Sequence, residues 1–208
     1  MRHAAAKANR WEDHYARLAR KERYPARSVY KLQEIQKRFG VIRQGDSVLD
    51  LGSAPGSWLM YAADLVGASG CVVGVDLAPV SIRLPPHARF FTKDVFDLVE
   101  DAAAFFGREF DAVLSDMAPA TTGSRGVDAA RSHHLCEAAL AIARQVLRPG
   151  GAFVCKIFQG EDFRSFTTAV KAGFSECKPF KPQSCRKASK EIYIIGKGKT
   201  GGSHVRPQ

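Results

Sequence analysis

Residues 47–58 read Ser47-Val-Leu-Asp50-Leu-Gly52-Ser-Ala-Pro-Gly56-Ser-Trp58. Five mostly apolar positions, 47–51, have the length and character of a buried strand. The glycines that follow let a backbone turn tightly and approach a ligand closely. A helix is predicted over 57–66. A strand, a glycine-rich turn and a helix are the opening of an α/β unit. The spacing is not GxGxxG, which argues against a pyrophosphate-binding turn. No GxxxxGK followed by Ser or Thr occurs in the chain, which excludes a P-loop.

Downstream, the same alternation repeats. CVVGVD (71–76), ARFFTKD (88–94), FDAVLSD (110–116) and GAFVCKIF (151–158) read as further strands. Helices are predicted near 97–106, 128–147 and 161–172. Gly173-Phe174 and EIYIIG (191–196) supply the last strands, and LRPGG (147–151) a turn before the fifth. Alternating elements with apolar strands predict an α/β fold, a mostly parallel sheet with helices on both faces. In such sheets ligands bind outside the carboxyl ends of the strands. Asp50, Asp76, Asp94, Asp116 and Lys156 all fall at or near such ends.

Asp76 lies 24 residues after Gly52. An acid there can accept two hydrogen bonds from a ribose diol. Asp94, ending the third strand, can accept from an adenine amino group. A nucleoside site without a pyrophosphate loop suits S-adenosyl-L-methionine. The expected architecture is therefore a Rossmann-like class I S-adenosylmethionine-dependent methyltransferase.

Upstream, residues 8–23 mix Trp11, Tyr15 and Leu18 with charges at helical spacing. Tyr24-Pro25 is expected to break that helix. Ser28 is expected to cap a second helix over 29–39, with Val29, Leu32, Ile35 and Phe39 on one side, ended by Gly40. The predicted organisation is a basic helical extension over 1–43 carrying Lys31, a catalytic domain over 44–198 and a flexible tail over 199–208.

The net charge of +10 is unevenly placed. Residues 1–43 carry 12 Lys and Arg against 4 Asp and Glu, residues 44–177 carry 11 against 16, and residues 178–208 carry 8 against 1. Basic ends around an acidic middle predict a polyanion gripped by the termini. Arg20, Arg23 and Arg27 at one end and Lys178, Lys181, Arg186 and Lys187 at the other are the candidate phosphate contacts. Five cysteines without a CxxC pair suit a reducing cytoplasm, with Cys71 and Cys155 as core thiols. No apolar run is long enough to span a bilayer. No secretory signal is expected. His133-His134 has no His or Cys at i, i+4 spacing, and no metal is expected.

Lys156 interrupts the apolar run Ala-Phe-Val-Cys-Lys-Ile-Phe, where an unpaired charge is costly. A lysine acts as a base only when burial or a second cation destabilises its ammonium form. Lys31 on a helix, taken alone, reads more readily as a solvated lysine. Trp58 reads either as a donor contact or as a core side chain.

The chain resembles the FtsJ-like (RrmJ) family of 2′-O-ribose RNA methyltransferases over residues 9–198. The resemblance rests on RSVYKL (27–32), DLGSAPGSW (50–58), VDLAP (75–79) and SDMAP (115–119) followed by Asp128-x-x-Arg131. It continues through LRPGG (147–151), KIFQGEDF (156–163) and KPQSCRKASKEIY (181–193). It implies a catalytic tetrad of Lys31, Asp116, Lys156 and Glu191, with Lys156 as general base. It also implies donor contacts from Gly56, Trp58, Asp76, Asp94 and Asp116. The implied reaction is methylation of a uridine 2′-hydroxyl in large-subunit (23S) ribosomal RNA, with the RNA or the large subunit as partner and the enzyme a monomer. Alternatives are a tRNA 2′-O-methyltransferase of the same family and a non-catalytic ribosome assembly factor. Two residues depart from the family pattern. Ser57 stands in place of a common glycine, and Cys185 in place of a serine.

Overall fold

The computed structural model describes residues 10–80, 82–120, 122–186 and 188–201. The chain begins with helices α1 (Arg10–Lys21) and α2 (Val29–Phe39). Then follow β1 (Ser47–Leu51), α3 (Ser57–Val66), β2 (Cys71–Asp76), β3 (Ala88–Thr92), a 3-10 turn (Val95–Leu98) and α4 (Ala102–Phe106). The second half holds β4 (Phe110–Ser115), α5 (Arg125–Val146), β5 (Leu147–Phe158), α6 (Phe163–Lys171), β6 (Phe174–Phe180) and β7 (Glu191–Lys199).

The seven strands form one sheet in the order β3-β2-β1-β4-β5-β7-β6. The first five are parallel, and β7 runs antiparallel to both β5 and β6. The mostly parallel sheet predicted from the alternation is present. The chain moves outward from β1 through β2 to β3, then restarts on the other side with β4. The carboxyl ends of β1 and β4 therefore flank the topological switch point, where such sheets open a crevice.

Period two along the strands sorts side chains onto two cores. Leu49, Leu51, Val73, Val113, Phe153, Cys155 and Ile157 face α5 and α6. Val48, Val72, Leu114, Val154 and Tyr193 face α2 and α3. Lys156, between Cys155 and Ile157, is thereby turned to the α2 side. Leu32 and Ile35 of α2 belong to that second core, together with Val41 and Ile42.

Several local expectations are corrected. Ser28 makes no side-chain cap; its backbone is already helical, at φ −59° and ψ −22°. Helix α1 ends before Tyr24-Pro25, because Arg23 adopts a left-handed φ of 63°. Gly40 does end α2, at φ 58°. The predicted helix 97–106 divides: Asp94 accepts from the Phe96 amide at 3.0 Å and starts a separate 3-10 turn. LRPGG is not a turn ahead of β5 but its irregular first part. The register jumps from Phe110↔Leu147 to Ala112↔Ala152, so extra residues bulge out. The side chain of Trp11, Lys187 and the predicted tail beyond residue 201 lie outside the described residues.

Candidate active site

The crevice holds two adjoining cavities. The first, of about 360 Å³, is lined by Gly52, Asp76, Leu77, Asp94, Phe96 and Asp116, among others. Gly52 is needed here for two reasons: its φ is +79°, and a Cβ would meet Met117 Cγ at 2.5 Å. Gly56, at φ +112°, would drive a Cβ into Ile82 at 2.4 Å. The loop is thus pressed against its neighbours at both glycines, where a side chain would clash. Asp76 braces it: one carboxylate oxygen accepts from the Ala54 amide at 2.9 Å and the other from Ala78 at 2.8 Å. Asp76 and Asp94 line this cavity, as their strand-end positions suggested, and each also anchors local backbone.

Trp58 does not reach the cavity. It is buried in the core, donates from its indole N–H to the Ser28 carbonyl at 2.8 Å, and lies 5.8 Å from the Tyr193 ring. Leu77 and Phe96 were missed by sequence reading. They are 68% and 42% exposed, an unusual state for apolar side chains at the lip of a cavity. The available signal was their position one residue after Asp76, which ends β2, and two residues after Asp94, just beyond β3.

The second cavity, of about 600 Å³, is lined by Arg27, Lys31, Lys156, Phe158, Arg186 and Glu191, among others. Ala118 lines both cavities. Four side chains from four elements meet at their junction. Lys31 comes from α2, Asp116 from just beyond β4, Lys156 from β5 and Glu191 from the start of β7. Lys156 Nζ lies 3.1 Å from Asp116 Oδ1 and also donates to the Asp116 backbone carbonyl. Lys31 Nζ lies 2.9 Å from Glu191 Oε2 and 3.9 Å from Asp116 Oδ1. All four side chains are largely buried, Lys156 most deeply at 6% exposed. Lys31, which alone read more readily as a solvated lysine, is held inside.

A fifth residue completes the group. Tyr193 is fully buried and donates its hydroxyl to Asp116 Oδ1 at 2.5 Å. It is the cross-strand partner of Lys156, as Glu191 is of Phe158. Lys31 Nζ sits 5.9 Å from the centre of its ring. Sequence reading passed over it because a tyrosine in EIYIIG looks like ordinary strand filling.

The electrostatics follow from these contacts. Burial pulls the Lys31 ammonium towards neutrality, but Asp116 and Glu191 outweigh it and raise its pKa. Burial would raise Asp116, yet Lys156, Lys31 and the Tyr193 hydroxyl hold its carboxyl below the usual range. The opposite holds for Asp50 on β1. Burial, with Asp116 and Asp76 nearby, pushes its carboxyl well above the usual range. Neither Asp50 oxygen has a hydrogen-bond partner among the described residues. Cys185 is pushed up to about 12 by burial and by Glu191, so its thiol stays protonated beside the tetrad. The other departure, Ser57, is also accounted for. It begins α3, its hydroxyl accepts from the Ala26 amide at 2.7 Å, and it donates to the Ala26 carbonyl at 3.1 Å.

The two basic ends meet beside the second cavity. Arg27 donates to the Ser184 carbonyl at 2.7 Å, and Glu34 accepts from the amides of Gln183 and Ser184 at 2.6 and 2.8 Å. No group of three His, Cys, Asp or Glu side chains suited to a metal occurs among the described residues. No helix among them is long and apolar enough to cross a membrane.

Residues 24–199 match the model of a family described as FtsJ-like methyltransferase. A protein of Desulforapulum autotrophicum named ribosomal RNA large subunit methyltransferase E is 61% identical over 193 residues, covering 93% of this chain and 95% of that one. Its namesake in Desulfatibacillum aliphaticivorans is 56% identical over 198 residues, covering 95% and 96%. Among solved structures, a Plasmodium falciparum protein named as a ribosomal RNA methyltransferase superposes with a TM-score of 0.73. It is 23% identical, with 86% of this chain and 100% of that one covered. Human methyltransferase-like protein 13, solved in complex with SAH, gives a TM-score of 0.57 at 14% identity, covering 76% and 73%. These two likenesses concern the fold.

Proposed function

The chain belongs to the FtsJ-like methyltransferase family, and on that premise we propose that it methylates a ribose 2′-hydroxyl of large-subunit ribosomal RNA with S-adenosyl-L-methionine as donor. The observation that carries this reading is the meeting of Lys31, Asp116, Lys156 and Glu191 at the junction of two cavities. The relatives' names support the RNA class.

The first cavity suits the donor. Asp76 and Asp94 offer carboxylate lone pairs to a ribose diol and an amino group, while Leu77 and Phe96 offer apolar surface to a flat base. When bound, the donor supplies an electrophilic methyl group on a positively charged sulfur. Asp116, which lines the same cavity, keeps its negative charge near that sulfur.

A ribose hydroxyl is a poor nucleophile and benefits from a base within hydrogen-bond reach. Lys156 lines the second cavity and stands beside Asp116, where such a hydroxyl would face the donor. Lys156 would accept the hydroxyl proton while the oxygen takes the donor's methyl group, whose sulfur would leave as a neutral thioether. Lys31 and Glu191 form an ion pair that fixes the far side of the group. Tyr193 and the Asp116 carbonyl hold Asp116 and Lys156 in register. Binding alone needs no lysine inside a buried strand, which favours the enzyme over an assembly factor.

The test is incubation of purified protein and labelled donor with unmethylated large-subunit RNA, with whole large subunits and with tRNA. The expected product is a single ribosomal nucleotide whose 3′ linkage resists alkaline hydrolysis. Label confined to tRNA would overturn the substrate, and label on a base would overturn the acceptor.

A further inference from the structure

The cavity that carries Lys31 and Lys156 does not end at the tetrad. Phe158, two residues beyond Lys156 on the same face of β5, lines it and also lines a third cavity of about 290 Å³. The third cavity is bounded by Asp128 and Ala129 of α5, by Gln159, and by Ser189 and Lys190 ahead of β7. Phe158, half-buried, together with Ala188 and Ser189 lines both cavities, the tetrad beside one and a polar-rimmed pocket beyond.

The walls of that pocket are built, not loose. The Phe158 amide donates to Ser132 Oγ at 3.1 Å, and the Gln159 amide to the Lys190 carbonyl at 2.9 Å. Asp128 accepts from both the amide and the hydroxyl of Thr122, each at 2.8 Å, which ties the loop before α5 to the helix. Gly160 keeps one wall thin, since a Cβ there would meet Ala129 at 3.0 Å.

We propose that this pocket receives the base of the nucleotide whose ribose is methylated, splayed out of its neighbours and stacked on Phe158. The inference rests on the ribose-methylation reading above. A ribose hydroxyl at Lys156 carries its base a few ångströms away, and Phe158 is the aromatic surface that lines both cavities. Stacking on an aromatic ring is how proteins hold unpaired bases. The rim then reads the base edge: Lys190 can only donate, while the Gln159 amide can donate and accept.

The experiment is a cycle between one side chain and one base. Wild-type protein and the variants Phe158→Ala and Phe158→Trp are compared on unmethylated large-subunit RNA, free or assembled, whichever the wild type methylates. The same RNA with an abasic ribose at the target position provides the second arm. On normal RNA, Phe158→Ala should lower kcat/KM by between about five- and a hundredfold, with Phe158→Trp near wild type. On abasic RNA, wild type and Phe158→Ala should be equal within about twofold, because the stacking partner is already gone. Donor affinity and melting temperature should be unchanged in both variants. An equal loss on both RNAs would overturn the proposal, since Phe158 would then act on the tetrad or the fold. Failure of the wild type to methylate any ribose would instead remove the underlying reading.

Discussion

Two aspartates at neighbouring strand ends show how far local partners decide a residue's chemistry. Asp116 is buried among Lys156, Lys31 and Tyr193 and is held ionised. Asp50 is buried without a partner among the described residues and is driven towards its neutral form. Their linkage to stability has opposite signs. Asp116, with a depressed pKa, stabilises the fold above the ordinary carboxylate range and loses that contribution as pH falls through its folded pKa. Asp50, with a raised pKa, favours the fold below the ordinary range and loses that contribution as pH rises through its folded value. Asp50→Asn should therefore stabilise the donor-free protein at neutral pH, because an amide cannot ionise and does not carry the linked cost of protonating the carboxyl on folding. The gain should shrink as the pH is lowered. Urea unfolding at pH 7.5 and at pH 5 measures both; an asparagine variant weaker than wild type at each pH would mean the carboxylate has a cationic partner. Lys156 yields the matching prediction for activity. Lys156→Ala and Lys156→Arg should both lose nearly all single-turnover methylation while donor affinity stays within about threefold, because a guanidinium remains protonated and cannot accept the proton. Near-normal transfer by the arginine variant would make Lys156 an electrostatic contact rather than the base.

At the scale of elements, the alternation of β and α segments was legible because parallel strands, buried on both faces, leave long apolar runs such as 47–51 and 151–158. Lys156 was legible for the same reason, as a charge breaking such a run. What could not be read was the element that answers it. Lys31 looks like any helix-surface lysine until α2 is laid over the sheet face that carries Lys156 and Tyr193. Tyr193 was hidden because its polar atom sits at the tip of an otherwise apolar side chain. Helix caps were misread where tertiary contacts won: Ser28 gives its carbonyl to Trp58 instead of capping α2 with its side chain. Ser57 makes the matching contact one residue earlier, gripping both backbone groups of Ala26. Together these three hydrogen bonds clamp the segment leading into α2 onto α3. Ser57→Ala removes two of them and leaves the Ala26 amide and carbonyl without that partner. A loss of about 1–2 kcal/mol is expected in urea unfolding. Methylation should fall through the placement of Lys31, with donor affinity little changed. An alanine variant that matches wild type in both stability and rate would show that the clamp does not position α2.

For the whole molecule, the uneven charge along the sequence becomes a spatial asymmetry. The basic ends are far apart in sequence but are stitched together by Arg27 to Ser184, Glu34 to Gln183 and Ser184, and Lys31 to Glu191. Arg27, Lys31 and Arg186 from these ends line the cavity that holds Lys156, while the acidic middle carries the cavity lined by Asp76 and Asp94 and the α5–α6 side of the sheet. A polyanion approaching such a molecule is drawn to the rim that also presents Lys156. Binding RNA through phosphate contacts releases counterions, so log affinity falls linearly with log salt, at about 0.7–0.9 units per contact. Neutralising one cation from each end, Arg20→Gln with Arg186→Gln, should therefore flatten that slope by about one to two units and leave donor affinity unchanged. The control is a pair on the opposite face: Arg164 and Lys171 of α6 are both exposed, and replacing them by glutamine should leave the slope as it was. Fluorescence titrations of labelled RNA across a salt series measure both pairs under one set of conditions. Equal flattening by the two pairs would mean that the RNA senses only total charge. A change confined to the α6 pair would put the RNA on the other face of the sheet, away from Lys156.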